Sequence, residues 1–139
     1  MDKDKNSITN YFYEASSMTI SHNDKKCLFF KGDDKFELVF NELKATTQNA
    51  HDMPAFGVSI HNDTIDAKES STWIELNFDS PQEFNEMPFE SLLFEIKPED
   101  QGFNLIRKVN GKYDGRCFYL NLNSNMKNLY DVLIKIFFD

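Results

Sequence analysis

Cysteine is scarce in this 139-residue chain, and so are glycine, proline and tryptophan: two Cys, five Gly, four Pro and one Trp. Cys27 and Cys117 are too few for a disulfide framework and too distant in sequence for a metal knuckle. They are read as strand thiols of a reducing compartment. With so little glycine, no glycine-rich loop precedes a helix, so nucleotide binding has no local support. No Gly-x-Ser-x-Gly elbow occurs, and neither cysteine lies in a nucleophile signature. Long apolar runs are also missing. The longest, such as Leu133–Phe138, are broken by Lys135, so no membrane span is expected. The N-terminal Met1-Asp2-Lys3-Asp4-Lys5-Asn6 carries mixed charge without an apolar segment behind it. A secretory signal is therefore not expected, and the expected location is cytoplasmic.

Basic charge is missing from one region above all. Between Asp63 and Asp100 stand Asp63, Asp66, Glu69, Glu75, Asp79, Glu83, Glu86, Glu90, Glu95, Glu99 and Asp100, opposed only by Lys68 and Lys97. This block accounts for the net charge of −8, because the residues before it are only slightly acidic and those after it are slightly basic. A surface of this kind attracts basic proteins and repels nucleic acid and anionic lipid.

Aromatic residues are abundant, with 14 Phe in a chain that is 40% hydrophobic. That is too apolar for a disordered acidic tail and implies a core of aromatic packing. The length suits a single domain over residues 1–139, with residues 1–7 frayed.

Residues Ile8–Tyr13 fit either a strand or a short helical turn. Met18–Ser21 and Lys26–Phe30 flank the turn-rich His22-Asn23-Asp24-Lys25 and read as a hairpin. Asp34 starts a helix with Glu37 three residues on, and Phe36, Val39, Phe40 and Leu43 form its apolar stripe to about Thr46. Ala55–Ile60 reads as a strand and His61–Ser71 as a loop. Thr72–Phe78 alternates, with Ile74, Leu76 and Phe78 on one face and Trp73, Glu75 and Asn77 on the other. Ser80-Pro81-Gln82-Glu83 carries the marks of a helix start, so a short helix is expected before Pro88. Ser91–Lys97 is a strand with Leu92, Phe94 and Ile96 inward. Asn110-Gly111 predicts a type I′ turn joining Phe103–Val109 to Lys112–Leu122, with Arg107 opposite Asp114. Ser124 caps a last helix bearing Met126, Leu129, Tyr130, Leu133, Ile136 and Phe137 on one face. The expected fold is α+β: an antiparallel sheet of about five to seven strands with two main helices on one face.

Candidate chemistry is thin. His22, His51 and His61 sit in expected turns or loops without a ligand partner at diagnostic spacing, so no metal is assigned. Arg116 and Cys117 alternate to opposite strand faces, which argues against an activated thiol. Glu75 and Glu95 lie on outward strand faces and would form a carboxylate pair only if they converged. No catalytic residue and no cofactor is assigned.

The function expected from these features is binding: occlusion of a basic protein partner, as immunity proteins, antitoxins and some inhibitors do. Trp73, Glu75, Asp79, Glu83, Glu86, Glu90 and Glu95 are the expected contact residues, with Trp73 as either an anchor ringed by acid or a core residue. One alternative is mimicry of nucleic acid by carboxylates along Asp79–Asp100. Another is a Phe-lined pocket serving a small ligand or an enzyme. Direct nucleic-acid and membrane binding are disfavoured. Weak self-association through Arg107, Lys108, Lys112, Arg116, Lys127 and Lys135 is kept in view.

Overall fold

A computed structural model describes residues 7–23, 25–53, 71–84 and 86–138. Its centre is a seven-stranded antiparallel sheet in the order β2-β1-β4-β5-β6-β7-β3. The strands are β1 (Ser17–His22), β2 (Lys25–Phe30), β3 (His51–Met53), β4 (Thr72–Phe84), β5 (Met87–Glu95), β6 (Gly102–Val109) and β7 (Lys112–Asn121). Helices α1 (Asp34–Thr46) and α2 (Lys127–Phe138) pack against each other on one face, and a 3₁₀ segment at Ile8–Glu14 precedes β1. The α+β architecture expected from the sequence is what the chain adopts. The strand proposed at Ala55–Ile60 and most of the loop after it lie outside the described residues.

Alternation decides which face each side chain takes. Met18, Ile20, Ile74, Leu76, Leu92, Phe94, Leu105 and Leu120 are fully buried beneath Phe36, Val39, Leu43, Leu129 and Leu133 of the two helices. Each buried side chain of this size contributes about 1.5–3 kcal/mol by leaving water. Aromatic contacts knit the core at one end, where Tyr11, Phe78, Phe84, Phe89 and Phe118 meet with ring centroids 5.4–6.0 Å apart. Phe94 stacks on Phe103 at 4.5 Å.

The N-cap position of α1 is Asp33 rather than Asp34, and its side chain makes no bond to the helix N–H groups. The Asp33 carboxylate turns back to accept the Phe30 N–H at 2.8 Å, and Glu37 accepts the Gly32 N–H at 3.2 Å. Before α2, Asn125 rather than Ser124 accepts the Lys127 N–H, at 3.2 Å.

The helix expected after Ser80 is not formed. β4 continues to Phe84 and pairs with β5 through Gln82↔Phe89, Glu83↔Pro88 and Phe84↔Met87. Between Asn77↔Ser91 and Gln82↔Phe89, the four residues Phe78–Pro81 oppose only Glu90. Ser80 and Pro81 thus sit in a wide bulge, where a residue without an N–H is tolerated. The pull of Phe84, Met87 and Phe89 into the core outweighs the local helix-start signal.

Asn110 and Gly111 form the expected turn, with φ of 52° and 79°, and Val109 pairs with Lys112. The register then shifts, since Lys108 pairs with Tyr113 but Ile106 pairs with Cys117. The expected pair of Arg107 with Asp114 falls on a side chain outside the described ones.

Candidate functional site

The face of the sheet away from the helices is where the sequence-assigned contact residues begin. Cross-strand register sets Thr19, Glu75, Leu93, Ile106 and Cys117 in one row, and Ser21, Trp73 and Glu95 in the next. Within this face Trp73, Leu93 and Ile106 form a second apolar cluster, each 2% exposed, with Tyr113 packed against it. The Trp73 indole N–H donates to the Ser71 hydroxyl at 2.6 Å. An anchor for a partner has to be reachable. Trp73 is a core residue here, not the exposed docking aromatic that the sequence left open.

Three of the six carboxylates have internal partners. Glu75 accepts the Tyr113 hydroxyl at 2.7 Å, and burial followed by the Glu75 charge pushes the Tyr113 pKa upward. Glu90 accepts the N–H groups of Asn110 and Gly111 at 3.1 and 3.2 Å, pinning the β6–β7 turn to β5. Glu95 is paired with Lys97 at 3.8 Å. Glu75 lies opposite Leu93 and Glu95 opposite Trp73, so the two carboxylates are diagonal neighbours with separate partners rather than a convergent pair.

Asp79, Glu83 and Glu86 remain. All three are exposed and make no hydrogen bond or ion pair among the described residues. Asp79 lies in the bulge, Glu83 is the penultimate residue of β4, and Glu86 lies at the hairpin tip with φ of 63°. β1 pairs with β4 only over Thr72–Asn77, and β6 pairs with β5 only over Ser91–Leu93. Among the described residues, no third strand therefore pairs with the hairpin beyond Asn77 and Ser91. From Thr72 to Glu95 the hairpin holds six carboxylates and no basic residue.

The distal half is held by contacts the sequence did not reveal. Arg107, 4% exposed, donates from Nη1 to the Pro88 carbonyl at 2.6 Å. Ser91 donates to the Asn77 side-chain carbonyl at 3.1 Å, and the Asn77 amide donates to Ser17 at 3.2 Å. A lone arginine in a strand and a serine–asparagine pair carry no sequence signal of such partnerships, since they depend on register.

Groups suited to covalent or metal chemistry do not assemble. Burial pushes the Cys117 thiol up, against a smaller opposite influence of Arg107. That disfavours the thiolate a nucleophile needs. His22 is half-buried instead of an exposed turn residue: its Nδ1 is hydrogen-bonded to the Thr72 hydroxyl at 2.8 Å and its ring meets Phe137 and Phe138. Among the described residues no three His, Cys, Asp or Glu side chains are grouped to hold a metal. A groove of about 420 Å³ between the 3₁₀ segment and α1 is lined by Thr9, Asn10, Tyr13, Lys44 and Gln48, without a carboxylate. A smaller cavity of about 130 Å³ lies beside Trp73 and the Glu95–Lys97 pair. No helix among the described residues is long and apolar enough to cross a membrane.

Comparison with protein-family models, with curated proteins and with solved structures finds no match to this chain. The functional reading therefore rests on the geometry.

Proposed function

We propose that this protein is a non-catalytic binding protein that captures a basic protein partner on the distal half of the β4–β5 hairpin, in the manner of an occluding inhibitor, immunity protein or antitoxin. The observation that carries this reading is the exposure of Asp79, Glu83 and Glu86, unpaired among the described residues, on a hairpin without basic residues. Charges held this way raise the rate of encounter with a cationic surface and are screened by salt. Their hairpin is firmly mounted from beneath by Phe84, Met87 and Phe89, so binding would not first require ordering it. Glu75, Glu90 and Glu95 belong to the protein's own structure in this reading, and Trp73 to its core.

The test begins by isolating a stoichiometric basic partner at low salt. Stopped-flow association is then measured for the native chain and for Asp79→Asn/Glu83→Gln/Glu86→Gln. The triple variant is expected to associate about tenfold more slowly at low ionic strength, with the difference closing as salt is raised. Equal association rates at low salt would overturn the assignment. Competition by duplex DNA for the same partner surface would turn the reading toward nucleic-acid mimicry.

A further inference from the structure

Strand β2 forms one edge of the sheet, and its backbone polarity follows from its neighbours. Lys31 N–H donates to the Ser16 carbonyl at 2.9 Å, continuing the ladder in which Lys25, Cys27 and Phe29 turn their backbone groups toward β1. Lys26, Leu28 and Phe30 accordingly turn theirs outward. Phe30 is already closed off, because its N–H donates to Asp33 Oδ2 at 2.8 Å and its carbonyl accepts the Asp33 N–H at 2.9 Å. Among the described residues, Lys26 and Leu28 keep an outward donor and acceptor each.

The side chains beside this edge are also unusual. Leu28 and Phe30 point to the face away from the helices, and they are 53% and 58% exposed. Large apolar residues on an open edge strand are a pairing hazard that proteins ordinarily avoid. Lys25, Lys26 and Lys31 are exposed along the same stretch, and no carboxylate lies between Lys25 and Gly32. Lysines at an edge deter a like-charged strand, and here they would bring two copies of β2 together lysine against lysine. The same charges favour an acidic strand.

We infer that the free edge of β2 is a second binding surface, opposite in charge to the acidic hairpin, and that its occupant is an extended acidic segment of a partner polypeptide. Such a segment would add an eighth strand by main-chain hydrogen bonds to Lys26 and Leu28. Its apolar side chains would cover Leu28 and Phe30, and its carboxylates would meet the lysines. This surface is independent of the hairpin, and neither requires the other.

The probe is a labelled peptide of about seven residues alternating glutamate and valine, titrated into the full chain at about 50 mM salt. Fluorescence polarisation and amide hydrogen exchange are the readouts. Saturable binding is expected, with slowed exchange at the Lys26 and Leu28 amides. Methylating alternate peptide nitrogens on the pairing edge leaves the charge intact and is expected to weaken binding about tenfold or more. Leu28→Pro removes the outward N–H at a position where an edge strand tolerates proline, and should weaken binding similarly. The methylated-peptide comparison decides the matter whether or not that variant folds. The inference is overturned by any of three results: no binding, equal binding of the methylated peptide or of a control peptide alternating lysine and valine, or protection of Lys26 and Leu28 that grows with protein concentration alone. The last result would make a second copy the occupant.

Discussion

The hydroxyl of Tyr113 on β7 donates to Oε2 of Glu75 on β4 at 2.7 Å, reaching over the two strands between them. Burial, the Glu75 charge and this hydrogen bond all push the Tyr113 pKa above its ordinary 10.0. Tyr113→Phe leaves a half-buried carboxylate without its donor and should cost about 1.5–3 kcal/mol, read by urea denaturation at neutral pH. The sign of the pH dependence follows from the upward shift. The neutral phenol is favoured by folding, so the stabilisation is complete below the unfolded-state pKa and is lost as pH rises through the folded one. In an alkaline absorbance titration of the native protein, Tyr113 should ionise late, above the ordinary tyrosine range. Unfolding should abolish that delay, and Tyr113→Phe should remove the late step.

Glu90 and Glu83 look alike in the sequence, yet the structure predicts opposite consequences for their removal. Glu90 accepts two backbone N–H groups at a turn held in the left-handed region, whereas Glu83 is exposed and unpaired among the described residues. Glu90→Ala should cost about 1–3 kcal/mol, because two donors lose a charged acceptor. Glu83→Ala should stay within about 0.5 kcal/mol of the native chain. Denaturant midpoints measured side by side decide it, and equal losses would refute this division of the acidic block.

Gly102 marks a third point of sensitivity. A Cβ there would lie 2.6 Å from the Leu120 carbonyl oxygen and 2.6 Å from the Tyr119 hydroxyl. The tyrosine can swing away, but the backbone carbonyl belongs to the β6–β7 ladder. Gly102→Ala should therefore lower the thermal midpoint by several degrees, the shift about 1–2 kcal/mol produces in a chain of this size. An unchanged midpoint would mean the ladder relaxes freely at this end.

Patterning made much of this fold legible. Alternation in Thr72–Phe78 assigned Ile74, Leu76 and Phe78 to the core, and the stripe Phe36, Val39, Phe40, Leu43 located α1 to its last residue. Asn110-Gly111 located its turn because few residue pairs accept two positive φ angles. The signals that misled were local ones overruled by distant contacts. Ser80-Pro81-Gln82-Glu83 satisfies every rule for a helix start, but Phe84 and Phe89 are held by Tyr11 and Phe118, which no window around Ser80 contains. The candidate surface was legible only as a charge total. Which carboxylates are free depends on register, since Glu75 meets Tyr113 and Glu90 meets the turn at Asn110 across strands far apart in sequence.

Trp73 gives the sharpest separation of stability from binding. At 2% exposure it fills the second apolar cluster with Leu93 and Ile106, and its N–H is satisfied by Ser71. Trp73→Ala should remove about 3–5 kcal/mol, a large fraction of the 5–15 kcal/mol expected for a whole domain. Trp73→Phe, which keeps most of the apolar volume, should lose clearly less. Folded Trp73→Phe protein should associate with a basic partner at the native rate, because the steering charges at Asp79, Glu83 and Glu86 are untouched. As the sole tryptophan, Trp73 also reports on itself. Its native emission should be blue-shifted, move red on unfolding, and hold its position when partner is added. An emission shift on binding, together with faster dissociation of Trp73→Phe, would return this residue to the interface.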